Sequence, residues 1–340
     1  MDISSILTFT GALAYVGFTI YLANQQILAA EREGLLRWLL YGFAFLTFLY
    51  GLFILQAAYL PLPDEAGLPQ VDKTGAAVNF VLTLVLCLLS VQIVSSQALR
   101  ERIRRILPAS ATYDPASPMH TTAWVLMLSM ICVVVGDFVV GGGIAGLAES
   151  IQVSGVDLGD VLFEDVLWVF AASLGVGLFL RRAPQAAFAR LGLRLPTRED
   201  ISWGIGIGIL LFGLIIAASL VWTQFVSRRS FGSQTRASDQ LAQAFNSLPK
   251  ALLLSAIVAI GEEVFFRGAL QPVMGIWVTS VFFAALHTQY TLTPATVIIF
   301  VTSLALGWLR QRQSTTASII GHFVYNFIQL ALAVLVGSSL

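Results

Sequence analysis

Charged side chains are scarce in this 340-residue chain, at 11% of residues against the ~25% that covers an ordinary water-soluble domain. So few charges cannot solvate the surface of a soluble protein this large, which excludes a cytosolic globular enzyme and a disordered segment. An excess of either sign is also missing, with 19 basic and 19 acidic residues. No basic footprint for a polyanion exists, and no nucleic-acid partner is expected. Cysteine is almost absent. Cys87 and Cys132 both lie in apolar runs, so a disulfide framework is not the design. Histidine occurs only as His120, His287 and His322. What the chain has instead is apolar: 57% hydrophobic residues, in continuous runs without the alternation of a barrel strand. The class this implies is an all-α, polytopic transmembrane helical bundle, an integral membrane protein in contact with lipid.

A helical span takes ~20 mostly apolar residues. Ten stretches fit, at about 5–24, 36–60, 76–97, 121–142, 161–180, 202–226, 250–273, 274–290, 293–310 and 314–337. The first follows Met1-Asp2 without a basic leader and closes without a small-residue cleavage site, so it is expected to stay as a helix. With ten spans, the loops on one side carry thirteen Lys and Arg and the opposite loops five. The positive-inside rule makes the richer side cytoplasmic and puts both termini outside, with a prokaryotic plasma membrane as the expected setting. The chain divides at its arginine-rich stretch. Residues 1–180 are an N-terminal transmembrane region without readable chemistry, 181–201 a cytoplasmic linker, and 202–340 a core whose last four helices are expected to carry the site.

Ionisable groups inside a bilayer are expensive and ask for a reason. Glu262, Glu263, Arg267, His287, His322 and Asn326 all fall within apolar runs. Glu263 and Arg267 are four apart, hence on one helix face, and can neutralise each other. Glu262 is turned ~100° away and is left for another partner. His322 and Asn326 are also four apart. At 1.5 Å per residue, Glu262 lies ~16 Å and His287 ~21 Å from the turn near Val273, while His322 lies ~14 Å from Gln313. Three helices therefore bring a carboxylate and two imidazoles to similar depth, around one expected polar cavity. A carboxylate and a neutral histidine can hold and deprotonate a water. A second histidine with an asparagine amide can donate to a developing oxyanion. Those are parts for hydrolysing an acyl bond, most naturally in a peptide or membrane-protein substrate. His-Glu-x-x-His, Gly-x-Ser-Gly and Gly-x-Gly-Asp are all missing.

In order along the chain, Glu262-Glu263-x-x-x-Arg267, Phe283-x-x-x-His287 and His322-x-x-x-Asn326 resemble the motifs of the CAAX prenyl endopeptidase and bacteriocin-processing (CPBP or Abi) family, over roughly residues 249–330. The resemblance implies an intramembrane endopeptidase in which Glu262 and His287 activate water. It also implies that His322 and Asn326 form the oxyanion site and that Glu263 and Arg267 support it structurally. The sequence departs from that pattern in two places: Pro272-Val273-Met274-Gly275 replaces a basic loop, and the third motif is reduced to Phe300 and Gly307.

No cofactor is expected. Asparagine is a poor zinc ligand and the spacing is not that of a zincin, although one carboxylate and two imidazoles leave a three-ligand zinc site open. The alternative function is a catalytically silent membrane scaffold, or an immunity or regulatory protein of the same fold. Asp137, Glu164 and Asp165 are left outside the site, and His120 is read as a loop-edge residue without a role. Gly204 and Gly208 are expected to allow close helix contact. Leu241, Phe245 and Leu248 recur at i, i+4 and i+7, which predicts a short interfacial helix over Ser238–Leu248.

Overall fold

The computed structural model describes residues 3–25, 30–60, 72–143, 158–222, 224, 247–287 and 294–337. Among these the secondary structure is helical, apart from one isolated bridge between Leu178 and Arg182. The helices are α1 (Ile3–Ala23), α2 (Ala30–Tyr59), α3 (Lys73–Ser95), α4 (Gln97–Ile106), α5 (Pro118–Val140), α6 (Leu158–Gly175), α7 (Pro184–Leu191) and α8 (Arg198–Trp222). Then follow α9 (Leu248–Glu262), a π-helix (Glu263–Leu270), α10 (Gln271–Leu286), α11 (Pro294–Arg312) and α12 (Thr315–Gly337). The expected interfacial helix lies almost wholly outside the described residues.

A helix occupies each of the ten expected spans, but among the described residues six helical segments are long and apolar enough to cross a membrane. Part of the difference lies in Leu248–Leu286, which runs as one 39-residue segment where the sequence predicts two spans. The bend in it falls at Gly275, with φ 77° and ψ 165°. Only glycine takes that backbone readily. A Cβ there would also stand 2.6 Å from Pro108 Cγ, so the tight turn doubles as a docking point for the loop after α4.

The core crosses the expected domain boundary. Ile93, Leu107, Met127 and Leu128 of the first half pack with Phe266, Leu270, Met274 and Phe283 of the second. The arginine-rich segment is docked as well. Ala187 and Leu191 of α7 bury against Val264, and Arg190 Nη1 donates to the Gly268 carbonyl at 3.1 Å. Asp200, fully buried, accepts from Arg194 Nε and Nη2 at 3.1 and 2.9 Å, from the Thr197 hydroxyl at 2.9 Å and from Ser314 Oγ at 2.7 Å. A carboxylate with that many donors is a fixed joint, and it ties the start of α8 to the start of α12. The close α8–α12 contact expected at the two glycines is present. A Cβ on Gly208 would lie 2.7 Å from the Gly321 carbonyl, and one on Gly204 would lie 3.0 Å from the Ala317 carbonyl. The joint and the contact together set the height and rotation of α12.

Candidate active site

The π-helix organises the site. In a π-helix each N–H reaches the carbonyl five residues back, so the turn is wide and residues four apart nearly eclipse. Its eight residues fall into four lanes. Val264 and Gly268 face α7, where the Gly268 backbone comes within van der Waals reach of Leu191. Phe265 packs tilted against Trp168 of α6, with ring centroids 4.5 Å apart. Phe266 and Leu270 enter the shared core. Glu263 and Arg267 turn inward, both fully buried.

Glu263 holds two partners. Its Oε2 lies 3.3 Å from Arg267 Nε, and its Oε1 accepts from His322 Nδ1 at 3.0 Å. The Arg267 guanidinium also sits 4.6 Å over the Phe283 ring. Glu262, one residue earlier, points to the other side of the same pocket of groups. Its Oε1 is 3.8 Å from His287 Nε2 and its Oε2 is 4.0 Å from His322 Nε2. His287 Nδ1 lies 2.7 Å from the Phe283 carbonyl. A carbonyl only accepts, so Nδ1 carries a hydrogen, and Nε2 is the nitrogen that faces Glu262. Phe283 thus holds the Nδ1 hydrogen from one turn below, and its ring lies tilted against His287 with centroids 4.4 Å apart. Asn326 stands one turn beyond His322 on α12 and is half-buried.

Of the sequence-derived candidates, His287 and His322 come within 4.0 Å of Glu262, and His322 is bonded to Glu263 in addition. That bond is not readable from spacing, because the partners are 59 residues apart. The acids of α6 are nearer to the site than the sequence reading places them. Asp165 is buried, its Oδ1 has no hydrogen-bond partner among the described residues, and a Cβ on Gly261 would fall 2.0 Å from that oxygen. Glu164 takes a hydrogen bond from Trp168 and lies close enough to interact with both Glu262 and His287. The available signal was an acidic pair inside an apolar helix; what the sequence did not contain was the packing of α6 on α9. Asp137, by contrast, accepts from the Tyr50 hydroxyl, and His120 Nδ1 accepts from the Asp114 N–H at 2.9 Å. In the reduced third motif, Gly307 gives its carbonyl to Gln271 Nε2 at 2.8 Å and leaves no room for a side chain. Among the described residues no three or more His, Cys, Asp or Glu side chains are grouped as a metal ion requires.

Residues 244–328 match the family described as type II CAAX prenyl endopeptidase Rce1-like. This segment is Rce1-like. It holds Glu262, Glu263, Arg267, His287, His322 and Asn326, and covers a quarter of the chain. The chain is also 41% identical over 59 residues to "Uncharacterized protein YpbD" of Bacillus subtilis (strain 168). That stretch is 17% of this chain and spans about a third (31%) of the relative's length. No solved structure matches.

Proposed function

We propose that this integral membrane protein is an intramembrane endopeptidase that hydrolyses a peptide bond with water activated by Glu262 and His287. The observation that carries the reading is the convergence of the Glu262 carboxylate with His287 Nε2 and His322 Nε2, at 3.8 and 4.0 Å, in a Rce1-like segment. Two bases facing each other at that separation cannot bond directly. A water donating one hydrogen to each is held and polarised. Its oxygen attacks the scissile carbonyl carbon, Glu262 takes the proton, and the carbonyl becomes a tetrahedral oxyanion. His322 Nε2 and the Asn326 amide are the donors for that oxyanion. His322 Nδ1 is spent on Glu263, so Nε2 donates only from the doubly protonated ring. The carboxylates of Glu262 and Glu263 balance that charge, while Arg267 balances Glu263. As the C–N bond breaks, the proton held by Glu262 passes to the leaving amine. Glu263 and Arg267 touch no reacting atom; they position His322.

The same reading makes 202–340 the unit that carries the reaction, with 1–180 packed around it and 181–201 as its cytoplasmic brace, and puts both termini outside. The reaction is proposed to run without a metal, on the chemistry of the donor set: His322 is committed through Nδ1 to Glu263, and an asparagine amide is a weak zinc ligand. A comparison of membrane proteomes between cells expressing the wild-type chain and cells expressing Glu262→Gln tests the function. At least one membrane protein should accumulate uncleaved in the variant. Identical proteomes, with both chains expressed and inserted, would favour a catalytically silent scaffold.

A further inference from the structure

A cavity of about 1240 Å³ is not lined by Glu262, His287 or His322. It lies on the opposite side of the π-helix, between Phe265, Ala269 and Leu270 and the helices α1, α2, α5 and α6. It exceeds the ~300–1,000 Å³ of ordinary small-molecule pockets. Its inner wall is apolar, built from residues such as Val16, Phe43, Leu126, Met130, Trp168 and Phe265. The few hydroxyls among them are already used inside the protein. Tyr15 donates to the Leu39 carbonyl, Thr47 to the Phe43 carbonyl and Tyr50 to Asp137, which leaves Ser129. An extended peptide would bring a row of backbone donors and acceptors to a wall that cannot answer them. Alkyl chains would not.

The rim has the opposite character. Arg181, Arg182 and Arg190 stand there beside Thr112, Ser117 and His120. None of the three arginines has a carboxylate within ion-pair distance among the described residues. Asp114 is the one acid on the rim, and its Oδ1 accepts from the Ala116 N–H at 2.9 Å. Burial, then Arg182, Arg310 and Arg181, lower the Arg190 guanidinium to about 10, as expected of cations gathered without a counter-ion. Three guanidiniums above an apolar chamber suit a group with an anionic phosphate at one end and hydrocarbon at the other.

We propose that this cavity is a binding site for an anionic membrane phospholipid, its phosphate on Arg181, Arg182 and Arg190 and its acyl chains against α1, α2, α5 and α6. The site is separate from the proposed active site and stands whether or not the chain is a protease. Its inner end rests on Phe265 and Ala269, in the helix that also carries Glu263 and Arg267, so the lipid braces that helix from behind.

Two variants isolate the two halves of the site. Arg181→Gln with Arg182→Gln removes charge from the rim. Gly175→Phe fills the chamber from its wall, where a Cβ on Gly175 meets no atom within 4 Å, so the fold tolerates it. The full chain, purified and delipidated in detergent, is titrated with dioleoyl phosphatidylglycerol, dioleoyl phosphatidylcholine or inorganic phosphate, and read by native mass spectrometry and melting temperature. Phosphatidylglycerol should bind one per chain and raise the melting temperature, with phosphatidylcholine at least tenfold weaker and inorganic phosphate without effect. The double arginine variant should lose at least tenfold in affinity for phosphatidylglycerol. Gly175→Phe should melt like the wild type without lipid and lose the lipid-dependent rise. Equal binding of both lipids, an equal effect of inorganic phosphate, or full lipid response in Gly175→Phe would overturn the proposal. If the arginine variant fails to accumulate, the lipid comparison and Gly175→Phe decide.

Discussion

Replacing Glu263 by glutamine tests the structural role assigned to the Glu263–Arg267 pair. The substitution keeps the size of the side chain and leaves an amide oxygen able to accept from His322 Nδ1. Among the described residues it removes the only carboxylate within ion-pair distance of Arg267, whose side chain is fully buried and whose three nitrogens make no well-aligned hydrogen bond there. Breaking a buried pair from one side costs ~3–5 kcal/mol, because the remaining charge keeps its desolvation penalty. The Phe283 ring lies 4.6 Å under the guanidinium before and after the substitution, so it leaves the expected loss at about 3–5 kcal/mol. Arg267→Met alone should cost less than Glu263→Gln, since Glu263 retains the His322 N–H. The double variant should recover at least half of the stability lost in Glu263→Gln, because a neutral amide beside a thioether leaves no orphaned ion. Thermal unfolding of the three variants in one detergent measures this, beside cleavage measured at a temperature where all are folded. A Glu263→Gln chain that melts with the wild type refutes the reasoning. So does a double variant no more stable than the single one, since the penalty would then not be the charge on Arg267.

Three other outcomes follow from the same geometry. Glu262→Gln should lower kcat/KM for peptide cleavage by at least ~10² while the melting temperature stays within a degree, because general-base catalysis is worth ~10²–10⁴ and Glu262 makes only the loose 3.8 and 4.0 Å approaches. Cleavage should survive prolonged incubation with 1,10-phenanthroline; activity lost to chelator and restored by zinc would replace the metal-free mechanism. Gly261→Ala should destabilise by ~1–3 kcal/mol, since its Cβ would meet Asp165 Oδ1 at 2.0 Å and push α6 from α9, and Asp165→Ser in the same chain should restore most of the melting temperature.

The parts of this protein that were legible in its sequence are those governed by hydropathy and by spacing within one helix. A helix stands in each expected apolar run, Gly204 and Gly208 do admit α12, and Glu263 does face Arg267. Glu262, His287 and His322 also come close together, at 3.8 and 4.0 Å, from separate helices. Rotation is a different matter. The π-helix is invisible to a hydrophobic pattern of eight residues, and so was the division of labour among its lanes. Nor could the pattern show that His322 would bond to Glu263, or that Gly261 would admit Asp165 beside Glu262, since both depend on how separate helices are docked. The cavity of about 1240 Å³ also depends on docking, since it is lined mostly by helices of the first half of the chain.

That distribution gives the N-terminal region a physical task. Four lanes on one short helix leave Glu263 and Arg267 only a narrow range of positions, since moving them means moving Phe265, Phe266 and Val264 as well. Phe265 is held by Trp168 of α6, Phe266 and Leu270 by α5 and the loop after α4, and Val264 by α7. Packed interiors transmit displacement because they have no slack to absorb it. The helices of residues 1–180 contain none of the proposed reacting groups, yet they supply the contacts on two of the three outward lanes, while α7 supplies the third. A catalytic carboxylate and histidine must be held within about half an ångström of their working geometry. Under the proposed mechanism, the contacts of these helices with Phe265, Phe266 and Leu270 would hold the π-helix, which follows Glu262 directly, from outside the site.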